Sequence, residues 1–508
     1  MNFSKIYTAQ ANLLSAHRVD VEGDISPGLH SFNIVGLADR AVEEARDRVS
    51  AALKNSGFVS PKQKNHKIVV SLAPAEIKKF GTTFDLPIAL AYLHATKQIS
   101  FDPRGKIFVG ELSLDGTLQK MRGVLPIILF AKKNGFDEVF IPAENSSEAS
   151  IVGGIKIFPV KNLRDIVKHL DTKNKFLINK IEKTKIVVSL ENGNDVFEEI
   201  IGQENAKRAL LIAAAGGHNI ALYGPPGTGK TMLAKAFKNI LPPLSYKQII
   251  ECTSIHSVSG ISSGELILKP PFRAPHHTSS HSAIVGGGAH LRPGEITLAH
   301  NGVLFLDEFP EFDRRTIEAM RQPIEEGQIS ISRIHEKKTL PANFILIISM
   351  NPCPCGYFGT NIKTCTCETS SIKKYRKKMS GPIMDRIDMW VEVTNIEYSH
   401  ANFHAKRTTK LESAKNMRDK IISARVLQEK RSGTQTLNGK MSPKEIEKIC
   451  ELDTKVEQLL NNSADKLKLS VRSYHKIIKL ARTIADLELS EKIKEQHILE
   501  ALRYRSKY

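Results

Sequence analysis

Asn219-Ile220-Ala221-Leu222-Tyr223-Gly224-Pro225-Pro226-Gly227-Thr228-Gly229-Lys230-Thr231 reads as an apolar strand, a glycine-rich turn and the start of a helix that runs on through 232–240. The spacing Gly-x4-Gly-Lys-Thr is that of a P-loop. Its glycines let backbone N–H groups curl around phosphate oxygens, and the helix adds the positive end of its dipole. Residues 224–231 (Gly224, Pro225, Pro226, Gly227, Thr228, Gly229, Lys230, Thr231) are therefore the expected ATP-binding loop. Lys230 is expected to reach the β- and γ-phosphates, and the Thr231 hydroxyl to ligate Mg²⁺.

Two further stretches turn phosphate binding into hydrolysis. Gly302-Val303-Leu304-Phe305-Leu306-Asp307-Glu308 has the form of a Walker B strand. Asp307 would hold Mg²⁺, and Glu308, just beyond the metal, would polarise the attacking water as a general base. Residues 344–349 (FILIIS) read as another buried strand, ending at Asn351. A polar Asn at that strand end occupies the sensor 1 position of AAA+ ATPases, able to hold the attacking water. In Ser380-Gly381-Pro382-Ile383-Met384-Asp385-Arg386, Arg386 fits an arginine finger serving a neighbouring subunit's ATP, with a salt bridge to Asp385 or Asp388 as the alternative. Arg472 stands near the start of a helix at 471–487, where a cation opposes the helix dipole. A phosphate contact, the sensor 2 role, would compensate.

The chain has 508 residues, enough for about three domains. Its balance of 73 basic against 54 acidic residues gives a net charge of +19, which favours a polyanionic partner, nucleic acid first. About half of that excess lies in 400–508, where we count 24 Lys and Arg against 14 Asp and Glu. No apolar run reaches the length of a membrane span, and the N-terminus lacks the layout of a secretory signal. A cytoplasmic location with no membrane partner is expected.

Candidate contacts follow the same logic. Residues 328–340 alternate and then turn charged, as in a β-hairpin; Arg333, His335, Lys337 and Lys338 are candidates for DNA phosphates, with a solvated tip as the alternative. The basic run 373–378 around Tyr375 carries the same two readings. Cys353-x-Cys355, nine residues, then Cys365-x-Cys367 form a four-thiolate set suited to a structural Zn²⁺, with reduced unligated cysteines as the alternative. Adjacent His276 and His277, in a Ser/His/Gly/Pro-rich segment at 251–300 read as an insertion between core strands, lack the spacing of a metal pair. A structural or DNA-facing role is expected for them.

Residues 1–170 precede any nucleotide motif and mix strands (68–72, 107–110) with amphipathic helices (39–56, 86–95, 125–134), an α+β domain with its own core. At 110–116 and 131–142 this region resembles the proteolytic domain of Lon, a ribosomal S5 domain 2-like fold. Lon pairs a Ser nucleophile with a Lys base; Thr83 and Leu125 stand at the matching positions here, and a leucine cannot take a proton. The domain is expected to be non-proteolytic, an assembly or DNA-contacting module. Residues 171–195 read as a basic linker with one short strand at 186–190.

Taken together, GPPGTGKT at 224–231, PFRAPHHT at 271–278, RPGEITLAHNGVLFLDEFPEF at 292–312, MNPCPCGY at 350–357, SGPIMDRID at 380–388 and ARTIADL at 481–487 resemble the magnesium-chelatase-like AAA+ ATPases of the YifB/ComM family. The resemblance spans essentially the whole chain. It implies an α/β multidomain protein: a Lon-like α+β domain (1–170), a linker (171–195), an AAA+ P-loop NTPase core (196–397) and a C-terminal helical lid (398–508). It also implies ATP and Mg²⁺ as cofactors and a homo-oligomer, a hexameric ring with ATP between subunits. Single-stranded or branched DNA is the implied substrate, moved by a branch-migration helicase during natural transformation or recombination. A magnesium-chelatase motor subunit is the alternative, disfavoured by the Lon-like N-terminus; an ATP-dependent protease is disfavoured by Thr83 and Leu125.

Overall fold

The computed structural model describes residues 2–171, 176–184, 197, 200–261, 265–288, 291–333, 336–379, 381–395 and 414–506. The short strand expected at 186–190 lies outside these residues. Two compact units emerge: Met1–Val187 with Ile249–Ile267, and Val188–Gln248 with Leu268–Tyr508.

In the first unit, Phe3–Asn12, Ser15–Pro27, His66–Ala73 and Ser31–Val35 form a sheet in that order, the last strand parallel to its neighbour. A second, parallel sheet joins Lys106–Phe108, Glu138–Pro142 and Lys156–Val160. The helix Asp85–Ala95 is buried nearly all round, because its run of apolar residues leaves no polar face. Segment 249–267, which the sequence places within the nucleotide domain, packs here through its helix Tyr246–Ser259, where Ser257 Oγ accepts from Gly123 N at 3.2 Å. Leu125 is fully buried in the helix Val124–Lys133, and the Thr83 carbonyl is tied to Gly110 N at 3.1 Å.

The second unit is built on a five-stranded parallel sheet in the order Phe272–Arg273, Val303–Leu306, Ile345–Met350, Ile220–Tyr223, Met389–Glu392. The three central strands are buried on both faces, so they read as continuous apolar runs rather than alternating ones. The edge strand Phe272–Arg273 corrects the reading of 251–300 as one insertion: a core strand lies inside it. Only two ladder residues flanked by Pro270, Pro271 and Pro275 gave no apolar run to find.

Helices Ala414–Ser432, Thr454–Leu467, Val471–Leu487 and Glu495–Arg503 share this core: Ile421, Leu460, Leu480, Ile484 and Ile498 cluster with Ile220, Leu222, Phe305 and Ile347. Truncating one such residue to Ala would cost about 2–5 kcal/mol. Among the described residues no helix is long and apolar enough to cross a membrane.

Candidate functional site

A parallel sheet presents the carboxyl ends of its strands as a crevice. Here Tyr223, Leu306 and Met350 end three adjacent strands, and each is followed by a polar or glycine-rich turn. The P-loop leaves the first. Gly224 has no room for a side chain: a Cβ there would stand 2.1 Å from the Val393 carbonyl oxygen. Gly229, at φ +86°, gives the left-handed turn from which the helix Lys230–Ile240 starts.

Lys230 Nζ donates to the carbonyls of Gly224 (2.8 Å) and Pro225 (2.7 Å) and to Asn351 Oδ1 (3.1 Å). Burial lowers its ammonium to about 8, against the opposing pull of Asp307. The Thr231 hydroxyl donates to Asp307 Oδ2 at 2.7 Å, and Ser349 donates to the other carboxylate oxygen. Lys230, Thr231, Asp307 and Asn351, read separately from sequence, thus share one constellation. Ser349 joins it unforeseen; as a small polar residue inside an apolar strand it was the one local signal.

Glu308 follows in the left-handed region at φ +52°, a conformation that costs a non-glycine residue free energy and concentrates at functional sites. Its side chain is 59% exposed, and its carboxylate lies 3.4 Å from His277 Nδ1. His277 therefore faces the carboxylate of Glu308, a contact that the sequence reading of the histidine pair did not name. His276, stacked 4.1 Å from it, bonds instead to Thr278.

Arg386 and Arg472 are brought together, but away from this crevice. Arg386 Nη2 donates to Glu325 Oε2 at 2.6 Å, and Arg472 Nη2 to Glu325 Oε1 at 2.5 Å. The carboxylate of Glu325, rather than Asp385 or Asp388, is the partner of Arg386. The same carboxylate offsets the unfavourable placement of Arg472 in its helix's first turn. The Arg386 carbonyl accepts from Asn219 Nδ2 at 3.2 Å, at the amino end of the strand whose carboxyl end carries the P-loop. The four residues Ile220–Tyr223 separate those ends by about 13 Å, beyond the reach of one arginine side chain.

The four cysteines converge. All four Sγ atoms lie within 4.8 Å of one another, with Cys353–Cys355 at 3.4 Å, Cys355–Cys365 at 3.6 Å and Cys353–Cys365 at 3.7 Å. Tetrahedral thiolates around a Zn²⁺ stand about 3.8 Å apart, so the donor set fits that ion. The Phe358 N–H points at Cys353 Sγ (3.3 Å) and the Cys355 N–H at Cys367 Sγ (3.4 Å), as sulfur anions require. The loop they fold abuts the P-loop, since a Cβ on Gly356 would meet Pro226 at 2.6 Å.

The expected hairpin is present as Gln328–Arg333 paired antiparallel with Glu336–Pro341. Ile329, Ile331 and Leu340 are buried, Lys337 is exposed and Lys338 half-buried. His335 and the Arg333 side chain lie outside the described residues. In the helix Thr369–Lys378, Ile372 and Tyr375 point inward while Lys373, Lys374 and Lys377 are exposed.

Comparisons with known proteins agree along the whole chain. Family models described as magnesium chelatase, subunit ChlI match residues 196–401, as subunit ChlI of Mg-chelatase 21–145, and as magnesium chelatase, subunit ChlI C-terminal 411–505. The competence protein ComM of Haemophilus influenzae is 41% identical over 513 residues, covering 100% of this chain and 98% of that one. The YifB protein of Escherichia coli (strain K12) is 39% identical over 508 residues, covering 100% and 97%. More distantly, a maternal DNA replication licensing factor, mcm6 of Xenopus tropicalis, is 24% identical over 340 residues, 61% of this chain and 37% of its own.

Proposed function

The chain belongs to the YifB/ComM family of magnesium-chelatase-like AAA+ ATPases, and from that premise we propose that it is a ring motor that hydrolyses ATP between subunits to drive branch migration of DNA. Lys230 binds the β- and γ-phosphates. Thr231, Ser349 and Asp307 offer the oxygens that would hold Mg²⁺, directly or through water, where the ion would supply positive charge against the phosphates. Glu308 takes a proton from the attacking water while Asn351 orients it. His277 fixes the Glu308 carboxylate. The domain of residues 1–170 takes no part in peptide hydrolysis, because Leu125 offers no base.

The observation that carries the ring is the position of Arg386. An arginine anchored at the opposite end of the strand from its own P-loop, about 13 Å away, serves ATP only when a neighbour presents it, and Arg472, sharing Glu325, goes with it. A heterologous contact whose rotation closes generates a ring, and the family resemblance makes that ring a hexamer. The four cysteines would hold a structural Zn²⁺, which would fix the loop between Asn351 and the helix Thr369–Lys378 against Pro226.

DNA as the substrate rests on the competence relative matched over its full length and on the +19 net charge. Lys337 and Lys338 on the hairpin contact phosphates, and Arg333 and His335 are candidates from the sequence for the same role. The family models carry a chelatase subunit's name, which makes magnesium insertion into a porphyrin the competing reading. The test is ATPase rate and strand exchange on four-way DNA junctions. Several-fold stimulation with movement of the junction is expected; a rate indifferent to single-stranded and branched DNA would remove DNA as the substrate.

A further inference from the structure

Glu325 has no place in the hydrolytic constellation, yet both outlying arginines converge on it. Each carboxylate oxygen takes one guanidinium, from chain segments 61 and 147 residues away in sequence. Two guanidiniums this close repel unless an anion lies between them. The hydrogen bond from Arg386 holds the Glu325 carboxyl below its usual range, so the anion is present at neutral pH.

Glu325 also stands at a mechanical junction. It lies in the last turn of the helix Arg321–Glu326, which ends at Gly327 with φ +65°. Gln328 then opens the hairpin. The feet of the hairpin are tied there, because Ala342 N donates to the Gly327 carbonyl at 2.7 Å. Gln322 reaches from the same helix into the hairpin, its Oε1 accepting from Ser330 N at 3.3 Å. Helix and hairpin are therefore bonded as one piece, and the arginines grip that piece at Glu325.

We propose that Glu325 is a positioning residue that couples the arginines serving a neighbour's ATP to the root of the subunit's own 328–341 hairpin. The inference rests on the ring reading above. A γ-phosphate is a more highly charged partner than one carboxylate, and the arginines cannot keep full bonds to both. When the neighbour binds ATP, Arg386 and Arg472 turn to its phosphates and Glu325 is released. The helix 321–326 and the hairpin shift with it. When the phosphate leaves, Glu325 recaptures both arginines and the hairpin returns. Nucleotide at one interface thereby sets the position of a candidate DNA-contacting element on the adjoining subunit.

The test is hydrogen–deuterium exchange on the full-length protein and on Glu325→Gln and Glu325→Asp, each with ADP and with a slowly hydrolysed ATP analogue, alongside sedimentation. In the wild-type ring, exchange across 321–341 changes at least threefold between the two nucleotides. Glu325→Gln loses that difference while the analogue still protects 224–231, which a merely misfolded variant would not do. Glu325→Asp keeps part of it. A wild-type ring whose 321–341 segment ignores the nucleotide, or a Glu325→Gln ring that keeps the full difference, overturns the coupling alone. If the analogue assembles none of the three proteins, the ring reading itself fails and the coupling falls with it.

Discussion

Thr231 donates its hydroxyl to Asp307 at 2.7 Å across the end of the strand Ile345–Met350. The first turn of the P-loop helix is thus bonded to the end of the Walker B strand, two strands away in the sheet. Both are hard oxygen donors, and Ser349 approaches the same carboxylate from the strand between them. A Mg²⁺ that takes Thr231 and Asp307 as ligands or as partners of its waters replaces this hydrogen bond rather than building a site anew.

Glu308 is exposed, held in the left-handed backbone region and placed directly after Asp307. Glu308→Gln should bind ATP with near-normal affinity and turn it over about 10²–10⁴-fold more slowly. Equilibrium nucleotide binding and single-turnover hydrolysis check the two halves. Turnover within a few-fold of wild type would remove Glu308 from its role.

His277 supports that carboxylate through one contact of 3.4 Å. A largely exposed polar contact of this kind is worth up to about 1 kcal/mol, so His277→Ala should lower kcat by up to about fivefold and leave the KM for ATP unchanged. A rise in KM with kcat intact would instead make His277 a nucleotide contact.

Lys230 titrates near pH 8 because it is buried, and a bound phosphate favours its charged form. ATP therefore binds the protonated lysine. As pH rises through about 8 the protonated fraction falls, so affinity falls and binding takes up a proton. Titration calorimetry in buffers of different ionisation enthalpy measures that uptake at pH 8.5. Its absence there would place the lysine's titration well above 8.

The cysteine cluster should hold about one zinc per chain. Replacing Cys353 and Cys365 together by Ser should abolish the metal and lower Tm by at least about 5 °C, since the bound ion stabilises only the folded loop. Metal analysis of protein purified without added zinc checks the first half and calorimetry the second. Full metal content in the double variant would show that the ion sits elsewhere.

The legible parts of this molecule were the local ones. The P-loop, the strand before Asp307 and the strand before Asn351 each carry their pattern within a dozen residues, so the sequence alone marked the strand ends that the sheet brings together. The helix at 471–487 was equally plain from its apolar spacing. What sequence could not show was joined only by folding. Glu325 meets Arg472 over 147 residues of chain, and nothing local to Glu325 sets it apart from other surface charges. His277 lies just beyond a two-residue edge strand too short to produce an alternation, so its approach to Glu308 was invisible. The helix Tyr246–Ser259 has little one-sided patterning, and its allegiance to the first unit follows from contacts such as Ser257 with Gly123.

The central claim is that each ATP is held by one subunit and completed by the arginines of the next. Glu308→Gln damages only the holding side, and Arg386→Ala only the completing side. Each variant alone should be nearly inactive as an ATPase. Mixed in equal amounts and reassembled, they should recover about a quarter of wild-type activity, because roughly one interface in four joins an intact Glu308 to an intact Arg386 in a closed ring. A mixture as inactive as its two components, under conditions where subunits demonstrably exchange, would contradict the account.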